Sequence, residues 1–318
     1  MRRQISRQII RYSRRLLRSK RIRKLRAVRR IHEWVYGFGC SRKGSDVQSA
    51  YRGLCLSGPA RDFSIVHQLF GGYYEEVEVA LFERLAARSR LIIDIGANIG
   101  LYACLGARRL TAGGHLVAFE PIPENVDYLR GNLAKNNLSE RVSIEAAAVG
   151  ETNGSVTMYL AKGIGHHSVA AENATGWSHS VSVPMVSLDS YLKERPVGEP
   201  DLIKIDAEGY DGFVLRGARN TLERTQPTLL IEYSFNGLEN CGFSADEFLD
   251  FVFTCYRHVF IVHDLRVFSC TREEIVRLGQ RGKQGINLLA INRSGHLAII
   301  EEWCSAKNAF RDPAVQVI

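Results

Sequence analysis

The sequence predicts an α/β fold built on a doubly wound, mostly parallel sheet, and three observations carry that prediction. Short apolar runs of strand length alternate with amphipathic stretches of helix length, the rhythm of βαβ units. The first such run is followed at once by a glycine-containing turn, Asp94-Ile-Gly96-Ala97-Asn98-Ile-Gly100, which opens a helix. An acid, Glu120, ends the next apolar run 24 residues after Gly96.

The elements follow in order. Residues 1–30 hold 14 Lys/Arg and no acid, with Ile5, Ile9, Tyr12 and Leu16, then Ile22, Leu25 and Val28, at helical spacing. This is the pattern of a basic amphipathic helix that lies on an anionic membrane or touches nucleic acid, the alternative being a solvated basic tail. The isoleucines and leucines favour the membrane, since phosphate backbones ask only for the arginines. Residues 36–72 read as irregular structure with one strand. From Tyr74 to Arg88 a helical stripe carries Val77, Leu81 and Leu85. Leu91–Ile95 is a buried-type strand stopped by Gly96, and Leu101–Leu110 a helix. Leu116–Phe119 is a strand ending at Glu120-Pro121, Asn125–Lys135 a helix and Val142–Ile144 a strand.

Residues 154–160 and 181–186 alternate apolar and polar side chains instead, the mark of an added antiparallel pair. Leu202–Ile205 and Leu229–Ile231 are further buried strands around a helix over Gly212–Leu222. Ser244-x-x-Glu247 and Thr271-x-x-Glu274 are capping boxes that open two helices, and Asn287–Ile291 is a last strand. The expected organisation is a basic segment over 1–35, a lead-in over 36–90, a catalytic domain over 91–295 and a tail over 296–318.

Composition narrows the function classes. With 45% hydrophobic and 24% charged residues the chain is an ordinary globular protein, which excludes disordered, collagen-like and disulfide-scaffold classes. The net charge of +8 belongs to the N-terminal segment: the other 288 residues hold 28 bases against 34 acids. Seven cysteines at irregular spacing, without a CxxC, argue for buried reduced thiols in a cytoplasmic protein. No apolar run reaches the roughly 18 residues of a membrane span, and the basic start lacks the apolar stretch of a secretory signal.

The glycine turn and Glu120 together point to a nucleoside. Glycines let the backbone turn tightly and approach a ligand at a helix N-terminus, and a carboxylate ending the next strand accepts from ribose hydroxyls in doubly wound folds. A turn needing glycine only for packing is the bland alternative. A dinucleotide enzyme would show G-x-G-x-x-G, whose second glycine admits the pyrophosphate. Asn98 stands there instead, which favours a phosphate-free donor, S-adenosylmethionine, with Asp94 facing its ammonium group or neighbouring amides.

Taken together, Leu91–Gly100 (LIIDIGANIG), Val117–Glu124 (VAFEPIPE) with Asn125 after it, Val186–Leu192 (VSLDSYL), Leu202–Gly209 (LIKIDAEG), Leu215–Ala218 (LRGA) and Leu229–Tyr233 (LLIEY) resemble, in order and spacing, the FkbM family of S-adenosylmethionine-dependent methyltransferases. Tyr74-Glu75 is similar to the pair that often precedes that family's first strand. The resemblance covers roughly residues 70–292. It implies a class I methyltransferase (Rossmann-like) sheet of seven strands, the last antiparallel, and O-methylation of a sugar, glycan or natural-product hydroxyl. It implies cofactor-binding roles for Glu75, Asp94, Gly96, Asn98, Gly100, Glu120, Pro121, Asn125 and Asp206. The sequence departs from the usual Asp-Val-Glu-Gly in reading Asp206-Ala207-Glu208-Gly209, a mild change.

An alcohol loses its proton as it attacks a methyl group, so a base or a metal is expected. Asp206 and Glu208, at the carboxyl end of their strand, are the first candidates, with Lys204 on the face of Asp206 as an ion-pair partner. Their bland reading is a polar strand-to-helix turn. Glu232 ends the next strand on the same edge; the three acids are compatible with a divalent ion, which nothing in the sequence requires. His167, in the glycine-flanked segment His166-His167-Ser168, is a further candidate base, against the alternative of a solvent-exposed loop histidine. The acceptor is expected to be a small molecule or glycan. The alternatives are an RNA methyltransferase using the basic start, against which the acidic body and the lack of a DPPY or Pro-Cys motif speak, and a non-catalytic scaffold.

Overall fold

The structure is a computed structural model, and it describes residues 46–59, 62, 65–71, 74–161, 165–174, 176–195, 197–263, 266–281 and 285–305. The basic segment over 1–35 and Cys40 lie outside the described residues. A hairpin of β1 (Asp46–Tyr51) and β2 (Leu54–Pro59) leads through α1 (Ile65–Gly71) and α2 (Glu76–Ala86) into the sheet. There follow β3 (Leu91–Ile95), α3 (Leu101–Arg109), β4 (His115–Phe119), α4 (Pro123–Lys135) and β5 (Val142–Glu145). A three-stranded insertion is formed by β6 (Ala148–Val149), β7 (Gly154–Leu160) and β8 (His179–Val186). The chain then resumes with α5 (Leu188–Glu194), β9 (Leu202–Ile205), α6 (Asp211–Gly217), α7 (Arg219–Thr225) and β10 (Thr228–Tyr233). It closes with α8 (Phe235–Asn240), α9 (Ala245–Cys255), β11 (His258–His263), β12 (Arg266–Ser269), α10 (Arg272–Arg281), β13 (Ile286–Ile291) and α11 (Ser294–Ser305).

The main sheet has the order β12-β11-β13-β10-β9-β3-β4-β5. Strands β5, β4, β3, β9 and β10 run parallel, and β13 inserts antiparallel between β10 and β11. The doubly wound, mostly parallel sheet with a last antiparallel strand is therefore present. One strand more than the expected seven appears, because β12 adds an antiparallel edge to β11. Both β11 and β12 escape the sequence reading: β12 is mostly exposed and four residues long, and β11 follows α9 without a turn signal of its own.

Both faces of the sheet are covered, which is why its strands read as continuous apolar runs. Successive side chains point to opposite faces. Ile92, Leu202, Leu230 and Leu289 join the core under α2, α3, α4 and α11. Ile93, Ile203, Ile231 and Leu288 join the one under α5, α6, α7 and α9. By the same alternation Asp94, Lys204 and Glu232 belong to the first face, and Asp94 and Lys204 are direct register partners.

Local chemistry fixes some element ends. The Ser244 hydroxyl accepts from the Glu247 amide, and Thr271 and Glu274 form a reciprocal box. The helix expected over Gly212–Leu222 is broken at Ala218, whose backbone serves as an end of both α6 and α7. The lead-in is more ordered than its composition suggests: Tyr51, Leu54 and Leu56 of the hairpin pack into the same core as α3. Residues 294–305 form a helix, with Ile299, Ile300 and Trp303 buried and Arg84 over the Trp303 ring. Among the described cysteines, all of them free, only Cys104 is buried, while Cys55 and Cys304 are exposed. The expectation of buried thiols is corrected to that extent. No helix of the described residues is long and apolar enough to cross a membrane.

Candidate active site

A cleft of about 750 Å³ opens at the carboxyl ends of β3, β4, β9 and β10, where the chain's crossovers leave the sheet in opposite directions and ligands of doubly wound folds collect. Its centre is the meeting of two turns, the one after β3 and the one after β9. Gly96 has φ +77, and a Cβ there would collide with the backbone oxygen of Asp206. Gly100 has φ +88 and closes against Leu129 of α4. Packing and backbone conformation therefore demand both glycines. Gly96 lines the cleft, whereas Gly100 does not.

Glu120 forms one wall. It is buried, its Oε2 accepts from the Asn98 amide (2.8 Å), and its Oε1 accepts from the Ile122 amide (2.9 Å) and Asn125 Nδ2 (3.3 Å). Burial pushes its carboxyl up to about 7 against the pull of those donors. Pro121 and Asn125 line the same wall. Asn98 takes φ +52, and its own Oδ1 accepts from the Ile99 amide.

The floor is a buried ion network. Asp94 is fully enclosed and does not reach the cleft, and neither of its oxygens has a hydrogen-bond partner of normal geometry. Its compensation is Lys204, whose Nζ lies 3.9 Å from Asp94 and 3.2 Å from Asp206 and 4.8 Å above the Tyr102 ring. Burial would lower the Lys204 pKa, but Asp206, Asp94 and Glu75 outweigh it and hold the ammonium charged. Burial drives Asp94 up to about 6 despite Lys204. Tyr102 donates to Glu75 Oε2 at 2.6 Å, and burial followed by the charge of Asp206 brings the Glu75 carboxyl to about 7.

At the mouth, the segment between β7 and β8 is strapped to the turn after β9. His166 gives Glu208 two contacts, its amide to Oε1 at 3.0 Å and its Nδ1 to Oε2 at 3.1 Å. The Ser168 hydroxyl and Asn173 Nδ2 both donate to the Glu208 carbonyl. The Glu208 carboxylate raises His166 to about 9. His167 also lines the cleft, but its Nδ1 accepts from the Ala161 amide at 3.0 Å and burial lowers it to about 4. A ring with Nδ1 as acceptor carries its proton on Nε2, so neither nitrogen of neutral His167 is left to take one.

Of the residues nominated from sequence, Glu75, Gly96, Asn98, Glu120, Pro121, Asn125, His167, Asp206 and Glu208 come together around the cleft, while Asp94 and Gly100 stand behind it. Tyr102 of α3 lines the cleft as well, and sequence reasoning passed over Asp211. Asp211 is buried and accepts from the Ala207 and Gly209 amides, both at 3.0 Å, which shapes the turn that presents Asp206 and Glu208. An acid at the first position of the following helix was the available signal. Backbone strain clusters here too. Of seven described non-glycine residues at positive φ, Glu75, Asn98, His166 and Glu208 line the cleft, and such conformations persist where surrounding structure over-determines them. Among the described residues no group of three or more His, Cys, Asp or Glu is arranged to hold a metal ion.

Comparison with known proteins gives a family. Residues 94–261 match the methyltransferase FkbM domain. The hexuronic acid methyltransferase AglP of Haloferax volcanii is 26% identical over 152 residues, 47% of this chain and 58% of that protein. The methyltransferase sdnD of Sordaria araneosa is 28% identical over 154 residues, 40% of this chain and 59% of that protein. The chain thus spans less than two thirds of the length of either relative. Among solved structures, a methyltransferase FkbM from Methylobacillus flagellatus superposes with a TM-score of 0.40 at 17% identity, over 64% of this chain and 44% of that one.

Proposed function

This chain belongs to the FkbM methyltransferase family, and from that premise we propose that it is an S-adenosylmethionine-dependent O-methyltransferase acting on a hydroxyl of a sugar, glycan or natural product. The observation that carries the reading is Glu120: a buried carboxylate at the end of β4, facing the cleft beside the open glycine turn. Oε1 is filled by two donors, and Oε2, with one, keeps acceptor capacity for a ribose hydroxyl. When bound, the donor supplies an electrophilic methyl group on a sulfonium whose thioether leaves as the acceptor oxygen attacks. The Asp94–Lys204–Asp206 network holds a net negative charge under that position. Asp206 is committed to Lys204 and the Nδ1 of His167 to an amide. The proton of the acceptor hydroxyl falls to His166 Nε2 in the neutral form of the ring, with Nδ1–H donated to Glu208, so turnover is expected to rise with pH toward about 9.

Calorimetric titration of S-adenosylmethionine and its demethylated product, S-adenosylhomocysteine, into wild type and Glu120→Ala tests the reading. One charge-assisted hydrogen bond is worth about 1.5–3 kcal/mol, so binding by the variant is expected to weaken about tenfold to hundredfold. A folded wild type that binds neither compound sinks the enzyme reading. The basic segment over residues 1–30 is proposed to hold the protein at an anionic membrane surface. Full-length protein then co-sediments with anionic liposomes and protein lacking residues 1–30 does not; equal behaviour of the two refutes that role.

A further inference from the structure

His166 is held by a partner that is itself held. Glu208 stands at φ +52 and Gly209 at φ +93, two left-handed residues in a row, and a non-glycine residue keeps such a backbone only where its surroundings over-determine it. The peptide group between them is gripped at both ends. Its N–H, from Gly209, donates to Asp211 Oδ2 at 3.0 Å. Its carbonyl, from Glu208, accepts from Ser168 Oγ at 2.7 Å and from Asn173 Nδ2 at 3.2 Å. The first grip belongs to the turn itself. The second comes from the segment joining β7 to β8, which also carries His166.

The two carbonyl donors rest on different supports. Ser168 is buried, and its backbone exchanges hydrogen bonds with Tyr159 of β7 in both directions. Asn173 lines the cleft and is tied to the α8 region. Its Nδ2 also donates to the Gly237 carbonyl at 3.0 Å and to Cys241 Sγ at 3.4 Å, and its Oδ1 accepts from Asn240 Nδ2 at 2.8 Å. A Cβ at Gly209 would lie 2.5 Å from both Asn173 Nδ2 and the Gly237 oxygen, so the glycine after Glu208 leaves room for this amide as well as for the turn. The ion pair in front is more open: His166 is 58% exposed and Glu208 31%. Charge alone holds the geometry of a solvent-reached pair only weakly. A rotation of the Glu208 peptide would swing its Cα–Cβ bond and take the carboxylate from His166.

We infer that Asn173, together with Ser168, is a positioning residue: it fixes the Glu208 peptide so that the carboxylate meets His166 Nδ1 and leaves Nε2 for the acceptor hydroxyl. The inference rests on the reading of His166 as the base and adds the residues through which that base is set. Glu208 is the main charge at His166. Asp206 of the same turn and Asp62 ahead of α1 act in the same direction, and the adjacent His167, lowered to about 4 by burial, stays neutral. Neither Ser168 nor Asn173 carries a charge, so each reaches the titration of His166 through the place of Glu208 and not by a field of its own.

Imidazole NMR titration of the full-length protein tests this in wild type, Asn173→Ala, Ser168→Ala, their double variant, Glu208→Gln, and Glu208→Gln combined with Asn173→Ala, each first shown to unfold cooperatively on heating. From about 9 in wild type, His166 is expected to move part of the way toward about 6.5 in each single variant and nearly all of it in the double variant, as it does in E208Q. In the E208Q background N173A is expected to add nothing, since the two substitutions act through one contact. A His166 that stays at about 9 in N173A and in the double variant, with only the melting temperature lowered, makes the two residues structural and overturns the inference. So does a shift from N173A that is just as large in the E208Q background. Where the double variant does not fold, N173A decides alone by the same criterion. Neither donor nor acceptor enters this titration, so its outcome is separate from calorimetry with S-adenosylhomocysteine, whose failure to bind folded wild type would refute the methyltransferase reading instead.

Discussion

Replacing Lys204 by methionine isolates the electrostatics of the cleft floor. The substitution keeps the length and apolar stem of the side chain and removes only the ammonium, leaving Asp94 fully enclosed with no countercharge. At 3.9 Å the lost attraction is about 4 kcal/mol at an effective dielectric of about 20, within the range of about 3–5 kcal/mol found for breaking buried pairs. The contact with Asp206 adds little, because that carboxylate is a third exposed. The deficit depends on pH with a definite sign. Burial already holds the Asp94 carboxyl at about 6 in the folded protein, with Lys204 pulling it down, and without the ammonium it rises further. A carboxyl whose folded pKa exceeds its unfolded value of about 4 takes up a proton on folding, so stability falls as pH rises from that value through the folded pKa. Urea denaturation of K204M should therefore show a small deficit near pH 5 that grows as pH rises through about 6 and is still growing at about pH 8. Adding Asp94→Asn should restore most of the loss. A deficit below about 1 kcal/mol at pH 8, or one that ignores both pH and the second substitution, would refute the argument.

Other expectations follow from the same geometry. Imidazole NMR titration should find His166 at about 9 and His167 at about 4, and Glu208→Gln should return His166 toward about 6.5; a His166 that titrates normally in wild type excludes the pair. Gly113→Ala, at φ +69 with open space around it, should cost about 1–2 kcal/mol from its left-handed backbone alone. Gly96→Ala should cost clearly more in thermal unfolding, because its Cβ also meets the Asp206 carbonyl. Equal losses at the two positions would show that the two turns do not touch. Asp211→Asn should weaken S-adenosylhomocysteine binding with little change in melting temperature if its role is to shape the turn after β9, whereas an equal fall in both would make it only structural.

How much of this was legible in the sequence depends on where the signal lives. The parallel strands announce themselves because burial on both faces demands unbroken runs such as Leu91–Ile93 and Leu229–Ile231. Glu120 and Asp206 stand at fixed offsets from strand ends, so their places in the cleft could be read from spacing. The hairpin β1–β2 could not, since Asp46–Tyr51 is half polar and acquires its apolar partners only on folding, from α1 and the shared core. Nor could the choice between His166 and His167, adjacent residues of one type. What separates them is which backbone amide or carboxylate each ring meets, and those partners, Ala161 and Glu208, are set by the pairing of β7 with β8 and by the turn after β9. Asp94 shows the converse: its position beside the glycine turn suggested a ligand contact, but period-two alternation turns it under the floor, where it acts through Lys204.

The three-stranded sheet β6-β8-β7 pairs with no strand of the main sheet and encloses a small core of its own, Ile122, Ala148, Met158 and Val183. It carries the strap that closes the cleft, while the donor side rests on the main sheet. The two sides meet at Ile122, whose side chain packs in that small core and whose amide holds Glu120. Val169 of the segment joining β7 to β8 packs on the same cluster, so changes at that position reach the wall at Glu120, while exposed positions such as His166 can vary without touching it. A strap transplanted between relatives would have to match the Glu208 carbonyl and carboxylate and, through Asn173, the Gly237 carbonyl and Asn240 of α8.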